Sequence, residues 1–141
     1  MAQAPVIALD DITQMDFSPH RLPGCERALV YQDSTAQTAA FRVSPGSGVP
    51  RHLHTRVTDY FVCIAGQLEI RYEGQQGSGI FQLKPGAYLA LPPGVRHEVY
   101  NPSGTDEAYF LLVHTPHEGF DVRPAEFREL TPKLPPEEFK R

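Results

Sequence analysis

Gly46-Ser47-Gly48-Val49-Pro50-Arg51-His52-Leu53-His54, followed by a carboxylate at Asp59 and a glycine at Gly66, is the stretch whose reading decides how this chain folds. Side chains alternate faces along a β-strand, so residues two apart project the same way, roughly 6.6 Å apart at ~3.3 Å per residue. Two imidazoles offered from one strand face can grip a single cation, and a nearby carboxylate suits the same purpose. Further on, Gly86, Pro92, Gly94, His97 and Asn101 form a second spaced set, with His97 behind a Pro-Pro-Gly turn that stops one strand and lets the next begin.

Together the two sets resemble the paired motifs of the cupin superfamily. The first motif reads Gly, five residues, His-x-His, three or four residues, Glu, six residues, Gly; the second reads Gly, five residues, Pro-x-Gly, two residues, His, three residues, Asn. The resemblance covers Gly46 to Asn101 and departs at one position, Asp59, where the pattern has Glu. It implies an all-β, double-stranded β-helix (jelly roll) with one divalent transition metal in the barrel, held by His52, His54, His97 and Asp59, and frequent homodimerisation. Asp59 is one methylene shorter than Glu. It reaches the metal only if its strand moves inward or a water bridges the gap, and the other reading is a carboxylate that hydrogen-bonds a ligand histidine.

Alternation sends Asp59, Phe61 and Cys63 to the metal side of their strand and Tyr60, Val62 and Ile64 to the other. Phe61 and Cys63 are therefore expected in the pocket wall, Cys63 as a small buried side chain rather than a nucleophile. Val99 shares a face with His97 and Asn101 and joins them as a substrate-binding candidate. Tyr60, Val62 and Ile64 form an apolar face that needs cover from the other sheet or a second subunit. Neutral imidazoles with one carboxylate suit Fe, Mn, Ni, Zn or Cu, and such a donor set leaves coordination positions open for a substrate. Arg51, on the face opposite His52, is expected to be solvated or at an interface. Arg96 is expected in a surface salt bridge, and His114 as a surface or hydrogen-bonded core residue.

The flanking chain fits one domain over residues 1–141, with the core barrel at about 27–115. With 13 basic and 17 acidic residues in 141, a net charge of −4 and no basic run, it has no electrostatic footprint for nucleic acid or anionic membrane. Met1 to Leu9 lack the features of a signal peptide, and no apolar run approaches the ~20 residues that span a bilayer. A cytoplasmic location with reduced Cys25 and Cys63 is expected.

Runs rich in β-formers are expected as strands at Arg27–Gln32, Thr38–Ser44, Val49–His54, Tyr60–Ala65, Gln67–Glu73, Gly79–Leu83, Tyr88–Leu91, His97–Asn101 and Glu107–His114, separated by Gly- and Pro-rich turns. The first 26 residues read as an irregular lead-in, with a turn near Asp10-Asp11-Ile12 and with Pro19, Pro23 and Gly24 as breakers. The tail from Pro116 changes character, and Pro124 suits the first position of a short helix over Ala125–Leu130.

Because fold does not dictate reaction, the resemblance leaves three classes of function. The expectation is a metal-dependent enzyme on a small organic molecule, an oxygenase of the dioxygenase type first. The alternatives are a redox-neutral isomerase, cyclase or lyase, and a module that holds metal and ligand without turnover. A small-molecule substrate and a homodimeric partner are expected, with no nucleic acid and no membrane.

Overall fold

The computed structural model of the protein describes residues 5–125. A 3-10 turn at Ile12–Gln14 precedes eleven strands: β1 (Ser18–His20), β2 (Leu22–Gln32), β3 (Gln37–Val43), β4 (Gly48–Leu53), β5 (Thr58–Ala65), β6 (Leu68–Gly74), β7 (Gly77–Leu83), β8 (Tyr88–Leu91), β9 (Arg96–Tyr100), β10 (Ala108–Thr115) and β11 (Arg123–Pro124). They form two antiparallel sheets, a six-stranded one in the order β1-β2-β3-β10-β5-β8 and a five-stranded one in the order β11-β4-β9-β6-β7. The crossovers from β3 to β10 and from β4 to β9 are those of a double-stranded β-helix, as the motif spacing implied.

Between the sheets lies the core, in which Phe41, Phe61 and Phe110 from the first sheet face Leu68, Ile70, Leu83 and Val99 from the second. Period-two alternation puts them there: in β5 Asp59, Phe61 and Cys63 are buried while Tyr60, Val62 and Ile64 are partly exposed. All nine expected runs are strands, eight of them with ends displaced by no more than two residues, while β2 begins at Leu22, five residues before the expected Arg27 and inside the expected lead-in.

The motif glycines and asparagine are structural. Gly66 adopts φ +75°, and a Cβ there would lie 2.5 Å from the Glu107 carbonyl oxygen, so only glycine lets β5 turn into β6 beneath β10. Asn101 is fully buried; its Nδ2 donates to the carbonyls of Val43 and Asp106, and its Oδ1 accepts from the Ser103 amide. One side chain thereby satisfies three backbone groups where strands leave the sheets.

Two flanking expectations are corrected. The lead-in is not wholly irregular: Asp11 caps the expected turn by accepting from the Thr13 amide, but Ser18–His20 then pairs with β2 as an edge strand. Pro19 is tolerated there because an edge strand has one side free of ladder bonds. Pro124 does not open a helix but lies in β11, opposite His52; positions 126–130 of the expected helix lie outside the described residues. No helix among the described residues is long and apolar enough to cross a membrane.

Candidate metal centre

His52, His54 and His97 converge, each bringing a ring nitrogen within 4.8 Å of the other two. Three local devices aim them. In β4 the register slips between Val49 and His52, so both face inward although three positions apart; this bulge sits at Pro50, which has no amide hydrogen to lose from a ladder. His97 lies opposite His52 on β9, and the two rings are 4.2 Å apart. His54 follows the end of β4 and is held from the far end of the chain.

Every one of the three rings is fixed through Nδ1. His52 Nδ1 lies 2.7 Å from the Pro50 carbonyl oxygen, His97 Nδ1 2.9 Å from that of Val95, and His54 Nδ1 2.6 Å from that of Asp121. Carbonyl oxygen only accepts, so Nδ1 carries the proton in each ring and Nε2 is turned toward the centre, the arrangement of a metal-ligating histidine. Asp59 enters from β5 with Oδ2 2.9 Å from His54 Nε2 and 3.6 Å from His97 Nε2. His97 Nε2 and Asp59 Oδ1 are buried with no hydrogen-bond partner. Unpartnered buried atoms beside three converging imidazoles could hold a divalent cation.

The electrostatics agree. Burial, with the neighbouring His97 next, lowers the His52 pKa to about 3, so this ring is neutral and its lone pair free. Burial alone would lower His54 too, but the hydrogen bond and charge of Asp59 outweigh it and the net shift is upward. For Asp59 burial pushes upward, and the hydrogen bond from His54 together with the neighbouring His97 ring outweigh that and hold the carboxyl below its ordinary range. Asp59 is thus a carboxylate at any ordinary pH, suited to ligate a cation or to accept from a ligand ring.

A cavity of about 570 Å³ opens beside the cluster, and His52, His54, Asp59, Phe61 and Val99 all line it. Cys63 does not. Although it shares the face of Asp59 and Phe61, it sits deeper in the core, its thiol against the carbonyls of Ala65 and Gly66, and burial raises its pKa. The expected place for Cys63 in the pocket wall is therefore corrected: parity assigns a face, but depth along the barrel decides which residues on that face reach the cavity.

The roof comes from the start of the tail after Pro116, for which the sequence left a packed lid, a dimer arm and a frayed end open. After β10 the chain is pinned to the β2–β3 turn by Thr115 Oγ1 and the His117 amide, both donating to the Thr35 carbonyl, and then crosses toward β4. Phe120 stacks on His114 at 4.2 Å between ring centres and lies 5.0 Å from His54. Asp121 accepts from the amide and hydroxyl of Thr55, each at 2.8 Å, and these bonds with Arg123 lower its pKa to about 2. His54 and Asp121 are 67 residues apart, so no local pattern announces the contact. His114 is buried, opposite Asp59, with Nε2 2.8 Å from His117 Nδ1; burial first lowers its pKa to about 4.

Asp121→Ala is accordingly expected to weaken metal binding by about tenfold, the lower end of what supporting partners of ligand histidines contribute, because the segment that orients His54 loses its anchor. Chelator competition checks this, with circular dichroism as the folding control. Unchanged affinity would show that the Asp121 side chain does not position His54.

Comparison with known proteins follows the geometry. The family model for the cupin domain matches residues 39–114. Tetracenomycin polyketide synthase protein TcmJ of Streptomyces glaucescens is 30% identical over 101 residues, 68% of this chain, and the chain spans only 65% of the length of that relative. Among solved structures, KdgF from Halomonas sp. superposes with a TM-score of 0.68 at 16% identity, covering 82% of this chain and 96% of its own. The polyketide cyclase RemF from Streptomyces resistomycificus also gives 0.68, at 19% identity over 88% and 89% of the two chains. At such identities the structures report shared fold alone. With the barrel, the motif residues and a family match over more than half its length in agreement, this chain belongs to the cupin domain family.

Proposed function

We propose that this protein is a metal-dependent enzyme acting on a small, largely apolar organic molecule that carries an aromatic ring, with oxygenase chemistry as the leading assignment. One observation carries the reading: three imidazoles and a carboxylate converge, and His52, His54 and Asp59 of that group line a cavity otherwise walled mostly by apolar and aromatic side chains. A structural ion would be closed off by its protein ligands, with no cavity at its side. Fe, Mn, Ni, Zn or Cu held there would supply Lewis acidity and, for the redox-active ions, electron transfer.

The chain's own residues supply the rest. Pro50, Val95 and Asp121 carbonyls hold the three imidazoles in one tautomer, so their Nε2 atoms need no rearrangement to bind. Asp59 balances the positive charge of the site from a position too buried to be screened by solvent. Phe61 and Phe120 present apolar surface beside the histidines and keep water from them.

A second reading, redox-neutral cyclisation of an aromatic precursor, is favoured by one comparison: the 30%-identical relative is named for a polyketide synthase. Elemental analysis of the purified protein, followed by oxygen-electrode and anaerobic assays on polyphenolic aromatic compounds, separates the two. Oxygen uptake matched to substrate loss is expected. Conversion undiminished without oxygen would overturn the oxygenase in favour of cyclisation, and failure to retain or take up any divalent ion would reject both.

The outer face of β5 and β10 carries the proposed homodimer contact. Tyr60, Val62 and Ile64 stand beside Leu111 and Val113 there, all partly exposed, and a sheet face of this composition is stabilised by a second copy more readily than by water. Light scattering at micromolar concentration is expected to report a dimer, and a particle of one chain's mass would reject it.

A further inference from the structure

The cavity continues from the histidine cluster to the β1–β2 hairpin, where His20 and Arg21 line it. Its floor on the first sheet is a file of aromatic rings. Phe61 lies 5.6 Å from Phe110, Phe110 stacks on Phe41 at 5.0 Å and 8°, and Phe41 meets the edge of His20 at 5.7 Å. Toward the far end of this file stand two cations, of which Arg21 lines the cavity itself. Arg27 stands opposite Phe41 on the inward face of β2, and Arg21 forms the hairpin turn itself.

Two further facts bear on these arginines. Among the described residues Arg42, Arg51, Arg71, Arg96 and Arg123 each have a carboxylate partner, whereas Arg21 and Arg27, like Arg56 elsewhere on the chain, have none. Burial and the charges of Arg27 and Arg21 also lower the His20 pKa, so the field at this end is felt by its neighbours. Arg21 moreover adopts φ +61°, the left-handed region that only glycine enters freely. A strained, uncompensated cation beside an apolar cavity points to a ligand that completes it.

We infer that the β1–β2 end of the cavity, through Arg21 and Arg27 with His20, binds the anionic group of an aromatic ligand whose ring lies on Phe41 and Phe110. A carboxylate is the simplest such group, since a guanidinium meets it with two parallel N–H···O bonds and also packs against aromatic faces. This inference rests on the reading of the cavity as a substrate pocket, but not on the ion, and it makes the substrate class an aromatic acid held at one end by arginine and presented at the other to the histidine cluster.

The test uses chelator-treated full-length protein at pH 8, so that no ion competes for the carboxylate, with 2-naphthoate and its uncharged match 2-naphthamide as probes in a fluorescence titration. Naphthoate is expected to bind about tenfold tighter than the amide, the size of one charge-assisted hydrogen bond. That preference should fall to near one in the Arg21→Gly, Arg27→Gln double variant and persist in Arg42→Gln, whose side chain lies on the outer face. Arg21→Gly alone should melt no lower than the parent, because glycine relieves the left-handed backbone, while binding naphthoate more weakly. Equal affinity for the two probes, a preference that survives in the double variant, or no binding of either at millimolar concentration would each overturn the inference. The metal-enzyme reading fails separately, on the elemental analysis.

Discussion

Replacement of His97 by alanine is expected to cost at least about 100-fold in metal affinity, beyond the range reached by residues that only support a ligand. His97 is 1% exposed, its Nδ1 is committed to the Val95 carbonyl, and its Nε2, 3.6 Å from Asp59 Oδ2, has no hydrogen-bond partner. The ring is thus held in place for something at the centre. Truncation also leaves a cavity worth roughly 2–4 kcal/mol of stability on the scale of buried large-to-small changes, so His97→Gln serves as the companion that keeps more of the volume. His114→Gln is the control, since His114 is equally enclosed but outside the cluster, and it should retain metal within about twofold. Equilibrium dialysis with the chosen ion reads all three. A His97→Gln protein that binds as tightly as the parent would remove His97 from the site.

The second large effect is expected far from the cavity, at Arg71. Arg71 is 1% exposed on the outer face of β6, bonded to Glu69 on its own strand and to Glu98 across on β9, which in turn meets Arg51. Such a network is weak evidence for net stabilisation, but removing one member strands the others as buried, uncompensated charges. Arg71→Met is therefore expected to destabilise the fold by about 3–5 kcal/mol, a drop in Tm on the order of 10 °C. The pH dependence has a definite sign. Burial already pushes the Glu98 pKa up, with Arg51 and Arg71 pulling it back. A carboxyl whose folded pKa is raised takes up protons on folding, so its contribution favours the fold at low pH and is lost as pH rises through the folded value. Without Arg71 the Glu98 pKa rises further, so urea melts should find the variant's deficit larger at pH 7.5 than at pH 5. A deficit independent of pH would mean that lost packing, not stranded charge, destabilises it.

Arg51 and Arg96 illustrate where the one-dimensional pattern misleads. Both alternate with inward residues, and they read as a solvated or interface charge and as a surface salt bridge; Arg51 joins the buried Glu98 network, and Arg96 makes its salt bridge, but with a buried Glu73. Alternation distinguishes the two faces of a strand but not whether the outer face meets water. The same limit hid β1 and the start of β2: Pro19, Pro23 and Gly24 read as breakers, yet Pro19 sits in an edge strand, where a missing amide hydrogen is harmless, and Pro23 and Gly24 lie within β2.

What the sequence determined by itself is whatever depends on neighbours along the chain. Period-two alternation set which residues of β5 and β9 face inward, whereas in β4 the bulge at Pro50 breaks the period. The spacing of Gly46 through Asn101 set the turns between those strands, and with them the barrel and the meeting of His52, His54 and His97. Asp59, Phe61 and Val99 followed from the same parity. Only the tertiary structure decided how deep a side chain sits and what closes over it. Cys63 shares a face with Phe61 but lies beyond the cavity, and His54 is oriented by the carbonyl of Asp121, 67 residues away. Such contacts arise from packing distant segments against one another, where shape and burial rather than local periodicity set the free energy, so no short window of sequence encodes them.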